Sequence, residues 1–289
     1  MTIETRKLGG AEVFPIGLGA MQMSLSGRPS EERSLRTIHA ALDAGVTLID
    51  TADAYSWDDR DTGHNEELIA RAIADRRDGV IVATKGGMYR TRDEGWHVKG
   101  TPEHLREACE ASLKRLRTDR IDLYQYHRPD PKVPYAESIG ALKELQDEGK
   151  IRWIGISNAD PDQIEEATRI VDVVSVQNEL SLEFTSPLEK GELALCERRG
   201  IAFLPWGPLG GADRAAQAAG GHDAVAEAAR NHGVSPQQVA LAWLLSLSQV
   251  VIPIPGASRP ESIQDSVRAA ALELSAEELD AIGGVAHVH

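Results

Sequence analysis

Eight times along this chain a short apolar run ends in a polar or glycine-rich group and gives way to sequence of helical period. The runs fall at residues 16–19, 46–50, 80–85, 121–127, 151–157, 173–178, 201–206 and 250–255. Alternation of this kind predicts parallel strands joined by helices. Eight units over 289 residues favour a (β/α)8 TIM barrel over an open doubly wound sheet. Helix starts are explicit at Ser30-Glu31, Thr101-Pro102-Glu103 and Asp160-Pro161, where a capping side chain precedes proline or acid. Two short segments around Gly9-Gly10 read as a β-hairpin ahead of the first strand, placed to close the barrel's N-terminal end. No linker, low-complexity block or charge run marks a boundary, so one domain over residues 1–289 is expected.

Charge and composition narrow the partners. A formal net charge of −14 disfavours nucleic acid and anionic membrane surfaces. The N-terminus lacks the apolar core of a signal peptide, and no apolar run approaches the ~20 residues of a membrane span. Cys109 and Cys196 stand alone in helix-like contexts, which suits a reducing compartment and offers no metal set. A cytoplasmic protein without a metal is expected.

The parallel barrel gathers its strand ends on one rim, where barrel chemistry sits. The stretch Val46-Thr-Leu-Ile-Asp50-Thr-Ala-Asp-Ala-Tyr55 puts a carboxylate at a strand end and a phenol five residues on. On its own it also fits a helix cap and a packed loop aromatic. Lys85 closes the third strand and His127 the fourth, each also compatible with a rim charge or a satisfied core histidine. Together the four suit proton donation by Tyr55. A phenol titrates near 10 when unperturbed, a neighbouring ammonium favours the phenolate, and a carboxylate fixes the ammonium. On the other half of the rim, Ser157, Asn158 and Gln177 suit a carboxamide and Trp206 a planar ring. The turn Pro255-Gly256-Ala257-Ser258-Arg259 suits a phosphate at a helix N-terminus.

In these motifs the chain resembles the aldo-keto reductase family over nearly its whole length. The resemblance runs through Gly17-Leu18-Gly19-Ala20-Met21, Ile49-Asp50-Thr51-Ala52 with Tyr55, Ala83-Thr84-Lys85 and Asp122-Leu123-Tyr124 to His127. It continues in Gly155-Ile156-Ser157-Asn158, Val176-Gln177-Asn178, Pro208-Leu209-Gly210 and Ile254-Pro255-Gly256-Ala257-Ser258. It implies a barrel that binds NADPH in extended form, with Asp50, Tyr55, Lys85 and His127 as catalytic tetrad. Tyr55 would be the general acid, Lys85 with Asp50 behind it would tune that acid, and His127 would orient the carbonyl. Ser157, Asn158 and Gln177 would hold the nicotinamide amide under Trp206. Gly19, Ala20 and Met21 would border the ribose, and Pro208, Leu209 and Gly210 the pyrophosphate. Gly256, Ala257, Ser258 and Arg259 would hold the adenosine phosphate.

Three positions depart from the family pattern. The adenine-facing pair is Asp265-Ser266 where Glu-Asn is usual. Ser262 stands where many members carry arginine, which transfers the 2′-phosphate to Arg259. The ring-stacking position is Trp206.

The expected activity is NADPH-dependent reduction of aldehydes or ketones to alcohols, the partner being a small carbonyl compound. Two rivals are a Schiff-base lyase using Lys85 and a non-catalytic nicotinamide-binding redox-sensing subunit. The loops 56–65, 88–100 and 207–222 would shape the substrate pocket, with Trp57 and Trp96 as aromatic walls beside Tyr55 and His127. A short tail after Ser275 predicts an open cleft and broad aldehyde tolerance. No heptad or distinct apolar face marks an oligomer interface.

Overall fold

The computed structural model describes residues 3–211 and 223–286. It opens with the hairpin of β1 (Arg6–Leu8) and β2 (Ala11–Val13), turned at Gly9 with φ +57°. The barrel strands follow in order: β3 (Leu18–Gly19), β4 (Leu48–Asp50) and β5 (Ile81–Gly86). A short antiparallel excursion, β6 (Met88–Arg90) and β7 (Trp96–Val98), precedes β8 (Ile121–Tyr126). Then come β9 (Ile151–Ser157), β10 (Val173–Gln177) and β11 (Ala202–Phe203). The seven barrel strands form one parallel sheet in the order β11-β10-β9-β8-β5-β4-β3.

The eighth run closes the barrel without forming a regular strand. Phe203 N donates to Val250 O, and Ile252 N donates to Phe203 O at 2.8 Å. On the other side Gly17 N donates to Pro253 O at 2.9 Å and Gly19 N to Pro255 O at 3.0 Å. Pro253 and Pro255 have no N–H to return toward β3, so that ladder keeps only half of its bonds. The glycines of β3 serve this closure. A Cβ at Gly19 would sit 2.7 Å from Ile254 O, so the group approaching the backbone there is the protein's own last strand.

Between the strands lie α1 (Glu31–Asp43), α2 (His64–Ala72), α3 (Pro102–Leu116), α4 (Tyr135–Asp147) and α5 (Pro161–Ile170). These are followed by α6 (Ser186–Glu189), α7 (Glu192–Arg199), α8 (Asp223–His232), α9 (Pro236–Leu247), α10 (Pro260–Arg268) and α11 (Ala276–Ala286). The caps act as their sequence suggests. Thr101 Oγ1 accepts from His104 N, and Asp160 and Gln163 exchange side-chain-to-backbone bonds at 2.9 and 3.1 Å. Among the described residues no helix is long and apolar enough to cross a membrane. Cys109 and Cys196 are buried, with burial pushing both thiols up to about 12, so neither offers a reactive thiolate.

The strand pleat sorts residues into two cores. Leu48, Ile81, Ala83, Leu123, Val174, Leu204, Ile252 and Ile254 fill the barrel, and Leu8 and Val13 of the hairpin plug it from below. The intervening residues, including Ile49, Val82, Tyr124 and Phe203, face the helices. Period two then carries the inward rows to their upper ends: Leu48 leads to Asp50, Ala83 to Lys85 and Leu123 to Gln125. On β10 a register shift between Val173 and Ser175 resets the row from Val174 to Ser175, which leads to Gln177. The top layer of the barrel is therefore polar, and the chemistry concentrates there.

The plug rests on Trp153. A Cβ at Gly9 would lie 2.9 Å from Trp153 Cε2 and Nε1, at a positive φ unsuited to an L side chain. Gly9→Ala should cost about 1–3 kcal/mol, read as a lower thermal midpoint. Steady-state kinetics should stay unchanged, because the hairpin lies at the end of the barrel opposite the strand C-termini.

Candidate active site

The side chain at the centre is Lys85, fully buried at the end of β5. Its Nζ donates to Asp50 Oδ1 at 2.6 Å, to Thr51 O at 2.8 Å and to Tyr55 OH at 2.9 Å. Three donors thus meet three acceptors, which is what a desolvated ammonium requires. Asp50 is 2 % exposed, and its second oxygen accepts from Gln177 Nε2 at 2.7 Å and Gln125 Nε2 at 3.2 Å. Tyr55 is held on its other faces by aromatic rings. His127 stands edge-on with centroids 5.8 Å apart, and Trp96 edge-on at 6.4 Å. Asp50, Tyr55, Lys85 and His127 are therefore brought together as one cluster.

Burial alone would push the Lys85 ammonium down, but Asp50 and then Tyr55 outweigh it and hold it above its ordinary value. Burial raises the Tyr55 phenol, Lys85 opposes that rise, and Asp50 adds to it, leaving the phenol above 10. The sequence-based expectation of a lowered phenol is corrected here, since desolvation exceeds the pull of the ammonium. Tyr55 keeps its proton at neutral pH. Burial, reinforced by Lys85 and Arg128, drives His127 well below its usual range, so the imidazole is neutral. Its Nδ1 is buried without a hydrogen-bond partner.

Above the cluster lies a cavity of about 650 Å³. Its lining includes Gly19, Met21, Gln22 and Gly256, and also Ser157, Asn158, Gln177 and Trp206. Gly207, Pro208, Leu209 and Gly211 line it as well, as do Leu25, Met88, Val98, Arg128 and Trp96, the last edge-on to Tyr55. Ser157 Oγ donates to Gln177 O at 2.7 Å, and Asn158 Nδ2 to His127 O at 2.9 Å, with Asn158 at φ +56°. These bonds tie the ends of β8, β9 and β10 together.

Several predicted contacts lie elsewhere. Ala20 is buried behind the wall, its carbonyl accepting from Asn65 Nδ2. Gly210 belongs to the turn whose N–H bonds back to Gly207 O, flanking the cavity without lining it. Ala257, Ser258 and Arg259 lead outward past Gly256, and Arg259 Nε donates to Ser262 Oγ at 2.9 Å. Asp265 is engaged by Ser235 Oγ and Gln238 Nε2, which ties α10 to the start of α9, and Ser266 is buried. Trp57 is exposed and outside the cavity, its Nε1 donating to Glu94 Oε1 at 2.7 Å. Trp96 does line it, carried on β7, and Arg90 packs on its ring at 4.2 Å. The 88–100 stretch is thus a hairpin in its first part and not a plain loop. Residues 212–222 of the third pocket loop lie outside the described residues.

Sequence reasoning passed over Gln125 and Arg128. The period-two parity of β8 was the available signal for Gln125, since it places that residue in the inward row with Leu123. Among the described residues no group of His, Cys, Asp and Glu is placed to hold a metal ion.

A hydride-transfer barrel is the class this arrangement defines, and comparison with known proteins specifies it. The model of the aldo/keto reductase family matches residues 15–286. An uncharacterised oxidoreductase of Schizosaccharomyces pombe is 36% identical over 277 residues, covering 94% of this chain and 87% of that protein. Among solved structures, a glycerol dehydrogenase from Gluconobacter oxydans superposes with a TM-score of 0.84 at 28% identity, covering 99% of this chain and 95% of its own. An aldo-keto reductase from Klebsiella pneumoniae in complex with NADPH gives 0.83 at 28% identity, with 99% and 95% covered. The chain belongs to the aldo/keto reductase family.

Asp53, whose N–H donates to Lys85 O, is buried, with Oδ1 lacking a partner. Burial and then Glu66 raise its carboxyl well above 3.8, so the folded protein holds a proton there that the unfolded chain releases. Between 3.8 and the raised value the native state binds more protons, and stability falls as pH rises through that window. Asp53→Asn should therefore raise the thermal midpoint at pH 7.5, with the gain shrinking toward zero as pH falls to 4. A gain independent of pH would contradict this account.

Proposed function

We propose that this chain is an NADPH-dependent reductase of one domain, converting aldehydes and ketones to alcohols with Tyr55 as proton donor. The observation that carries the reading is the buried chain Asp50–Lys85–Tyr55, which holds a protonated phenol against a fixed ammonium at the cavity floor. The donor set fits a nicotinamide: Ser157, Asn158 and Gln177 offer hydroxyl and amide groups in a cavity that also includes Trp206 and reaches Gly256. NADPH, when bound, supplies the hydride that reaches the carbonyl carbon.

The protein's own residues do the rest. Neutral His127 and Tyr55 face the cavity together, so a carbonyl oxygen can accept from both. Tyr55 gives its proton to that oxygen as the alcohol forms. The phenolate left behind is stabilised by Lys85, already aligned at 2.9 Å and needing no reorganisation. Leu25, Met88, Trp96 and Val98 offer an apolar wall suited to aromatic and aliphatic aldehydes. Imine chemistry at Lys85 is disfavoured, because the amine is paired with Asp50 and held charged. The small-carbonyl partner and a cytoplasmic setting complete the reading.

Tyr55→Phe should lower kcat for NADPH-linked reduction of 4-nitrobenzaldehyde by about 10²–10⁴-fold, while NADPH binding stays within a few-fold. Retention of most activity would refute the proton-donor role. Arg259 is exposed at the start of α10 and is assigned to the 2′-phosphate. Arg259→Ala should raise KM for NADPH about tenfold, as expected for loss of a charge-assisted bond, and leave KM for NADH within about twofold.

A further inference from the structure

The amide of Gln125 has no place in the reaction as set out above, yet it is fully buried within the catalytic layer. Asp50, paired with Lys85, is an ionised carboxylate and can only accept. Both amides that reach its Oδ2 must therefore present nitrogen to it, Gln177 at 2.7 Å and Gln125 at 3.2 Å. With its nitrogen so directed, Gln125 turns its oxygen toward Gln177, and Oε1 accepts from Gln177 Nε2 at 3.4 Å. The two hydrogens of the Gln177 amide are thus both claimed, one by Asp50 and one by Gln125. Reversing the Gln177 amide would set its carbonyl against a desolvated carboxylate and against the Gln125 carbonyl.

Gln177 lines the cavity, and among the described residues no donor reaches its Oε1. The cavity consequently sees an acceptor at this point and not an NH₂. The surrounding backbone keeps room for the arrangement. A Cβ at Gly155, the register neighbour of Gln125 on β9, would fall 2.9 Å from Gln125 Cγ and 2.3 Å from Ser175 Oγ.

We propose that Gln125 is a positioning residue that fixes the polarity of the Gln177 amide, so that the cleft recognises the NH₂ of a carboxamide ring substituent and discriminates against a ketone there. This rests on the nicotinamide reading of the cleft. Gln125 acts through Gln177 and Asp50 and touches neither cofactor nor substrate.

The test compares NADP⁺ with its 3-acetylpyridine analogue, in which a methyl group replaces the carboxamide NH₂. Dissociation constants are measured by quenching of tryptophan fluorescence in the full chain. The wild type should bind NADP⁺ about three- to tenfold more tightly than the analogue, the effect of one hydrogen bond to a buried acceptor. In Gln125→Leu the Gln177 amide keeps its bond to Asp50 but loses the acceptor for its second hydrogen, so its orientation is held less firmly and the ratio should fall to about twofold or less. Gln125→Met, unbranched and of similar length, serves the same purpose if the leucine variant fails to fold by circular dichroism. A wild-type ratio retained in the folded variant, or equal binding of both nucleotides by the wild type, would sink the proposal and leave the reductase reading standing. A wild-type chain that binds neither nucleotide would overturn both.

Discussion

A lysine with no exposure to water is the constraint around which the upper half of this barrel is built. A lone ammonium there would be too costly to hold, and its partners must be supplied in full. The carboxylate of β4 supplies one bond, the Thr51 carbonyl a second and the Tyr55 phenol a third. The requirement then passes outward. Asp50 has a second oxygen with no exit to solvent, and β8 and β10 send amides to meet it. Four strands are thereby committed to one charge.

The sheet geometry that permits this is parity and register. Each contributing strand ends its inward row two residues beyond an apolar or small barrel residue, and the parallel pairing places Lys85 beside Gln125 and Ser157 beside Gln177. A one-residue slip would send these side chains to the helix face and leave tyrosine or β-branched residues inside. The apolar layers below, with Leu8 and Val13 closing them, are what make such a slip unfavourable. Core packing and the geometry of the buried polar cluster here are one specification.

This explains why so much was legible in the sequence. Each polar residue at the end of an apolar run has a structural reading of its own, but at consecutive strand ends of one rim they converge, and Asp50, Lys85 and His127 stood out together on that ground. Caps such as Asp160-Pro161 read correctly because their bonds are local. What escaped depended on space. Gln125 follows Tyr124 inside an apolar run and looks like strand interior until the pleat is assigned. The run at 250–255 has strand composition, but its two prolines remove the donors that a regular ladder needs. Trp57 and Trp96 are equivalent as sequence, and only the β6–β7 hairpin separates them, carrying Trp96 to Tyr55 while Glu94 holds Trp57 outside. The expected adenine-side pair Asp265-Ser266 could not be read from local sequence alone, since Asp265 is already engaged by Ser235 and Gln238 at the start of α9.

The charge state of the site follows from the same burial. Before proton transfer Asp50 and Lys85 cancel, Tyr55 is neutral and so is His127, and the desolvated layer carries no net charge. A protonated His127 would place a second cation near Lys85 and draw Tyr55 toward phenolate before any substrate arrived. Burial prevents this by depressing the imidazole, and the same burial raises the phenol. The two shifts run in opposite directions on their scales and have one cause, the cost of charge away from water. Proton loss from Tyr55 is therefore unfavourable until a carbonyl oxygen is gaining negative charge beside it. At that point Lys85 is already in position to stabilise the phenolate. In the proposed reaction the lysine's contribution belongs to the transition state and not to the resting state, which is the difference that would let a buried ion pair accelerate a reaction instead of merely surviving in the fold.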